Sequence, residues 1–428
     1  MMPMMKELNA DTILVENYIG SNSGNLMFLT SIARALMTDD DVQIDSRFGS
    51  LFAPDDSLID MINAEYDYFI MPLANAFRSN YRDKLRSLAR LVSKLKIPCV
   101  VTSVGIQAPS GSNMKAGFPF DADARSFVGA VLDKSAMLGV RGEHTADYLK
   151  HLGISEERHF AVTGCPSMFM WGSDLPEIRK VGLNAGSRVC VNGKPDSSEV
   201  IHDFMAASCR QLKDFRYIPQ TVNEFWMMGY GIPLFQKPSR SAKDYIPFSQ
   251  KSSLIRDGRT IGFLNAYAWI DYLRSMDFSY GCNIHGNIAS LLAGTPAMVV
   301  EGDMRVGELA SYFDIPRING SDISSGRSIF DIYMEADYGP MQRNHRERFE
   351  RFTALLDRNG LEHIYSDSGS VKEAPYDRFV RKMGALPVFT KNDVAGTFDL
   401  KRKKPIYRKV YRFYKAKAIS KIKRMLHI

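Results

Sequence analysis

The stretch Phe278-Ser-Tyr-Gly-Cys-Asn-Ile-His-Gly-Asn-Ile-Ala-Ser-Leu-Leu-Ala-Gly-Thr-Pro-Ala-Met-Val-Val300 decides the fold. Residues 278–282 form a strand-like apolar run, and from 287 to 293 the apolar residues recur at helical spacing. Gly294-Thr295-Pro296 stops the helix, and 297–300 reads as a second buried strand. Strand, helix and strand in so short a span is a βαβ unit of a parallel sheet. His285 and Gly286 fall on the turn between the strand's C-terminal end and the helix start, where open α/β sheets bind their ligands. Free N–H groups and the positive end of the helix dipole favour an anion at that place.

Outward from this unit, short apolar runs alternate with longer amphipathic ones along the 428-residue chain. The expected fold class is therefore α/β, two Rossmann-like domains with mainly parallel sheets. Upstream strands are expected at 12–18, 68–71, 97–104, 137–140 and 159–162, with helices at 26–37, 81–96, 121–135 and 143–151. Pro176, Gly182 and Gly186 mark a connection at 172–187, after which the pattern restarts with strands at 188–191, 215–218 and 260–264. The expected division is 1–178 as an N-terminal and 179–335 as a C-terminal Rossmann-like domain. Helices of 336–400 would pack on the body, and 401–428 would form a basic amphipathic tail. Residues 229–250, rich in Gly, Pro and Ser, read as a loop or small insertion.

Charge separates the tail from the body. The chain has 55 Lys and Arg against 48 Asp and Glu, and its last 28 residues carry twelve of the basic ones and none of the acidic ones. Without the tail the body is mildly acidic, unlike the broad basic face of a nucleic-acid enzyme, so no nucleic-acid partner is expected. The five cysteines are scattered, with no CxxC pair and no His at ligand spacing, which argues for a reducing compartment and no metal. No run reaches the roughly 20 apolar residues of a membrane span, and no signal segment is evident at the start. The expected location is cytoplasmic.

His285 is the candidate acid–base group, since imidazole exchanges a proton near neutral pH; the alternative is a capping or core histidine. Residues 301–305, Glu-Gly-Asp-Met-Arg, follow the next strand, so Arg305 and Glu308 fall on the first turns of another helix at the same sheet edge. Arg305 suits phosphate or carboxylate through its planar fork, or else pairs with Glu308 at i,i+3. Asp303 either supports the site or only caps its helix.

Several of these runs together bring a family into view. Ile284-His285-Gly286 through Ala293-Gly294-Thr295-Pro296, then Asp303-Met304-Arg305 with Glu308-Leu309, resembles the signature of polysaccharide pyruvyl transferases. Leu138-Gly139-Val140-Arg141-Gly142-Glu143 with Thr145, and Thr163-Gly164-Cys165-Pro166-Ser167, are similar to the family's N-domain pattern. The opening strand with Asn17 and the loop 20–25 resembles its glycine-rich first turn. The resemblance runs in order over 13–318, and omits the insertion and the tail.

The resemblance implies a GT-B-like pair of domains, 1–178 on the acceptor side and 179–335 on the donor side, with the site between them. It further implies transfer of pyruvyl from phosphoenolpyruvate to hydroxyls of a glycan, as a ketal, with phosphate released and no cofactor. His285 would be catalytic. Arg141, Arg305, Asn283, Gly286 and Asn287 would bind the donor, and Asn17, Ser21, Asn22 and Asn25 the acceptor, with Asp303 and Glu308 in support. Many members carry Arg two residues before the His where this chain has Asn283, so the chain either uses another cation, for which Arg141 and Arg305 are the candidates, or binds the donor differently. Two rivals stand beside this reading: a GT-B glycosyltransferase using a nucleotide sugar, and a non-catalytic glycan-binding protein of the same fold.

In the tail, Tyr407, Tyr411, Tyr414, Ala418, Ile422 and Met425 recur at helical spacing among Lys and Arg. Such a helix suits an anionic membrane surface, where lipid-linked glycans are displayed; its alternative is packing back on the body. The expected partners are thus phosphoenolpyruvate, a glycan or lipid-linked glycan, and the inner face of a membrane.

Overall fold

The computed structural model describes residues 10–15, 18–45, 54–109, 111–232, 234, 239–384 and 388–390. The first half holds four strands, β1 (Phe69–Met71), β2 (Cys99–Val101), β3 (Leu138–Val140) and β4 (Phe160–Val162). β1 pairs with β2 and β3 with β4, both in parallel, and a parallel bridge from Val104 to Val140 joins the two ladders. The second half holds β5 (Val189–Asn192), β6 (Phe215–Tyr217), β7 (Phe278–Gly281), β8 (Ala297–Val300) and β9 (Arg317–Ile318). These form one sheet in the order β6-β5-β7-β8-β9, every pairing parallel. Each residue of β5, β7 and β8 is buried, because helices cover both faces, and this is why those strands read as unbroken apolar runs. The chain is thus α/β with two parallel-stranded, Rossmann-like halves, as its alternation predicts.

The order of the second sheet fixes where a ligand fits. From β5 the chain moves outward to β6, then returns past β5 to β7 and continues the other way. Helices leave β5 and β7 toward opposite faces at such a reversal, so a crevice opens at the carboxyl ends of these two strands.

One predicted element is corrected. The strand expected at 12–18 is the helix Ala10–Val15, with Ile13 and Leu14 buried against Val222, Phe225 and Met228 of the helix Val222–Tyr230. A short run such as Thr-Ile-Leu-Val satisfies either period, and only the long-range contact decides between them. The run at 260–264 is reduced to isolated bridges from Thr260 to Tyr217 and from Gly262 to Phe389.

Packing also crosses the division at 178. Met27, Phe28, Ile32 and Ala35 of the helix Asn25–Leu36 join the core of the second half. The long helix Gly339–Arg358 reaches back to β3 and β4, and its Leu355 lies where a Cβ on Gly139 would fall. Among the described residues no helix is long and apolar enough to cross a membrane. The basic tail lies outside the described residues.

Candidate active site

His285 sits on the first turn of the helix Ile284–Leu292, directly after β7 and beside the end of β5. Gly281, the last residue of β7, has φ 151°, and a Cβ there would lie 1.9 Å from the carbonyl oxygen of Asn192. Only glycine permits so close an approach of the two strand ends. Asn192 then organises the turn: its Oδ1 accepts from the Asn283 N–H at 2.7 Å, and its Nδ2 donates to Asn287 Oδ1 at 3.2 Å.

This network engages the side chains of two residues expected to bind the donor. Asn283 spends its Nδ2 on the Gly193 carbonyl at 2.9 Å. Asn287 is fully buried, donating to Gly281 O and accepting from Asn192 and Ser279, so its side chain builds the turn rather than facing a ligand. Gly286 is tightly enclosed, for a Cβ there would meet Gln220 Nε2 at 2.4 Å.

The first half presents Arg141 to this histidine. Arg141 follows β3 and is 3% exposed, with one long bond from Nη1 to Asn75 Oδ1 at 3.4 Å. Its Nε and Nη2 are buried and find no partner among the described residues. Leaving charged donors unsatisfied in a fold is costly, which marks this guanidinium as built for an anion. Cys165, after β4, places its Sγ 3.5 Å from His285 Nε2, while the Ser167 hydroxyl donates to the same sulfur at 3.1 Å. Phe28 lies against the imidazole from the other side, with ring centroids 5.6 Å apart. Burial, and next the Arg141 charge, push the His285 pKa from 6.5 down to about 3. The imidazole is therefore neutral at physiological pH and available as a base.

Arg305 occupies the same edge of the second half but pairs with Asp303, not with Glu308. Its Nη2 reaches Asp303 Oδ2 at 2.8 Å, and Lys194, just past β5, reaches that same oxygen at 2.7 Å. Asp303 also caps the helix Met304–Tyr312 by accepting from the N–H groups of Arg305 and Val306. Although burial opposes it, Lys194 and Arg305 hold the Asp303 carboxyl well below its ordinary value. Glu308 braces the two halves: its Oε1 accepts from the Thr145 N–H at 2.8 Å and hydroxyl at 3.1 Å. A Cβ on Gly142 would strike Glu308 Cγ at 2.5 Å, so Gly142 lets the two helix starts meet.

The first loop closes over the histidine by docking on the second half. Val222 N–H bonds to Ser21 O, Ser23 N–H bonds to Gln220 O, and Asn22 forms a bridge with Thr221. Asn22 Oδ1 accepts from Gly24 N–H at 2.7 Å, and Asn25 Nδ2 donates to Ile19 O and Gly20 O. These two predicted acceptor contacts thus set the shape of the loop, and Asn17 lies outside the described residues. Gly24 has an ordinary helical φ of −58°, yet a Cβ would stand 2.9 Å from His285 Cβ and 2.8 Å from Asn22 Oδ1. Gly24→Ala is expected to displace the imidazole while leaving the fold intact. The check is a shifted His285 ring signal by NMR with unchanged circular dichroism; an unmoved signal would refute the contact.

The structure therefore brings His285, Arg141, Arg305 and Asp303 to facing strand ends. Sequence reading missed Cys165 as a neighbour of His285, and missed Lys194. The Asn192-Gly193-Lys194 run at a strand end was a usable signal for Lys194. The arrangement is a neutral base beside unsatisfied guanidinium donors, suited to deprotonating a hydroxyl next to a bound carboxylate or phosphate.

A family model described as polysaccharide pyruvyl transferase matches residues 46–303. No curated protein matches the chain. Among solved structures, a functionally uncharacterised protein from Klebsiella pneumoniae is similar at 13% identity and TM-score 0.37, covering 70% of this chain and 91% of its own. Sucrose-phosphate synthase from Thermosynechococcus elongatus is similar at 12% identity and TM-score 0.39, covering 76% and 80% respectively.

Proposed function

Because the chain belongs to the polysaccharide pyruvyl transferase family, we propose that it moves pyruvyl from phosphoenolpyruvate onto two hydroxyls of a cell-surface or exopolysaccharide glycan precursor, forming a ketal. The observation that carries this reading is His285 on the turn after β7, with Arg141 near enough for its charge to act on the imidazole and with the Nε and Nη2 of that guanidinium buried and without a partner among the described residues. The guanidinium offers planar, charge-assisted bonds to the donor's carboxylate or phosphate. The start of the helix Ile284–Leu292 adds its dipole to the same anion.

The chemistry balances through one imidazole used twice. C3 of the enolpyruvyl group gains a proton as a sugar hydroxyl attacks C2, so positive charge develops at C2 and none of the electron pair is left on C3; the proton that C3 gains is made good by the one the hydroxyl loses, both by way of His285, which ends neutral. A second hydroxyl forms its bond to C2 as the bond from C2 to the phosphate oxygen breaks. Its proton passes by way of His285 to the departing phosphate. The donor's negative charge offsets Arg141, so the imidazole becomes a stronger base when the substrate is in place.

The test is acceptor-dependent phosphate release from phosphoenolpyruvate by the full-length protein, with the pyruvyl group recovered on the glycan. Silence with every acceptor, alongside glycan binding, would replace the reading with a non-catalytic one. We further place the protein at the inner membrane face through its tail. Liposomes containing anionic lipid are expected to bind the full chain, less so as salt rises, and to lose it on truncation after Leu400. Equal binding by the truncated protein would remove this localisation.

A further inference from the structure

We propose that Cys165 is a positioning residue for His285: with its sulfur steadied by Ser167, it engages Nε2 of the imidazole and leaves Nδ1 to exchange protons with the substrate. The proton exchange rests on the pyruvyl-transfer reading; the contact and the tautomer it sets do not.

The loop after β4 holds this sulfur in place. The Thr163 and Gly164 N–H groups both bond to Val140 O, and the Ser103 hydroxyl donates to Gly164 O at 2.8 Å. Gly164 has φ 72°, and a Cβ there would strike the Phe313 ring at 2.4 Å, so glycine is what lets the chain turn just before Cys165. Cys165 and Ser167 are fully buried. The Ser167 hydroxyl donates to Sγ at 3.1 Å, and Sγ lies 3.5 Å from His285 Nε2. This chain of two contacts runs from the first half of the molecule to the imidazole of the second.

Among the described residues Sγ is the one hydrogen-bond partner of the imidazole. Gly24 of the first loop stands beside Nδ1, and a Cβ on it would come to 3.0 Å from that nitrogen. A thiol is a weak donor, whereas a ring N–H is a full one, so the neutral ring carries its hydrogen on Nε2, directed at the sulfur. Nδ1 then keeps an unshared pair. It takes the proton that a hydroxyl loses and returns one, while the hydrogen on Nε2 stays in place. The other groups at the ring are Phe28 on its face and Arg141, which acts by its charge; no carboxylate bonds to it among the described residues. Sulfur accepts weakly, so it orients the imidazole while adding little to the stability of the imidazolium. Burial and the Arg141 charge therefore still hold the pKa at about 3.

Nitrogen-15 NMR of the full-length protein labelled at histidine, with His285→Ala to assign the signal, tests the tautomer without any substrate. The resting wild type is expected to carry its proton on Nε2. Cys165→Ala is expected to let both tautomers appear and to lower kcat by about tenfold or more, while the phosphoenolpyruvate Kd stays within about twofold. Cys165→Ser, whose oxygen can accept the same N–H, should keep the wild-type tautomer and recover most of the turnover. Cys165→Asp should raise the His285 pKa by about one unit or more and carry the acid side of the kcat profile upward with it. A packing role alone would leave both in place. A proton on Nδ1 in the resting wild type would overturn the proposal. So would a tautomer unchanged in Cys165→Ala together with an acid limb unmoved in Cys165→Asp. A wild type protonated on Nε2 that never releases phosphate from phosphoenolpyruvate would sink the transferase reading and leave the Cys165 contact standing.

Discussion

Replacing His285 with alanine is expected to lower acceptor-dependent phosphate release by about 10²- to 10⁴-fold, the usual worth of a positioned acid–base group. Donor affinity should change far less, because Arg141 and the helix start supply the binding charge. The loss therefore falls on kcat rather than on the phosphoenolpyruvate Kd, which direct binding measures separately. A variant that keeps its turnover would show that some other group moves the protons.

The pH behaviour gives the same residue a second readout. Its pKa is depressed from 6.5 to about 3 in the folded protein. Between those values the unfolded chain binds a proton that the folded one does not. The stability contributed by neutral burial is thus complete above pH 6.5 and is lost as pH falls toward 3. Burial lowers His345 from 6.5 to about 4 in the same direction. His285→Ala is expected to flatten the acid side of the stability profile, leaving the part that His345 carries. An unchanged slope in denaturant unfolding across this window would contradict the neutral, half-buried imidazole.

The second large effect is expected far along the chain from the chemistry. Arg34→Ala should destabilise the protein by about 3–5 kcal/mol, the typical cost of stripping one member from a buried ion pair. Arg34 is 1% exposed and grips Asp377 with Nε at 2.9 Å and Nη2 at 3.0 Å. Its remaining donors reach Met170 O at 2.9 Å and Val371 O at 2.8 Å. Tyr267 donates to the same carboxylate at 2.6 Å, and the Trp171 ring lies 5.4 Å from the guanidinium. Removing the arginine takes the cation from the carboxylate and one donor from each of the Met170 and Val371 carbonyls. A loss below about 1 kcal/mol, the range of surface pairs, would mean that the cluster is relaxed or hydrated. Replacing both partners by apolar residues of like volume should restore much of the loss. Because Arg34 lies on the helix that carries Gly24 and Phe28, the destabilised variant should also loosen the packing around His285.

The sequence alone determined the alternation of strands and helices, the parallel sheet built around 278–300, and the strand-to-helix turn that carries His285. Each depends on neighbours within a few residues, where period, turn chemistry and capping leave a local trace. The same runs, in order, also carried the family.

Only the tertiary structure decided which residues meet across the cleft. It turned 10–15 into a helix because Ile13 and Leu14 pack on a segment some two hundred residues away. It committed Asn283 and Asn287 to the turn, paired Arg305 with Asp303, and set Cys165 beside His285 and Lys194 on Asp303. Such contacts join positions far apart in the chain, and their cost or gain arises from burial and from fields that exist only once both halves are folded.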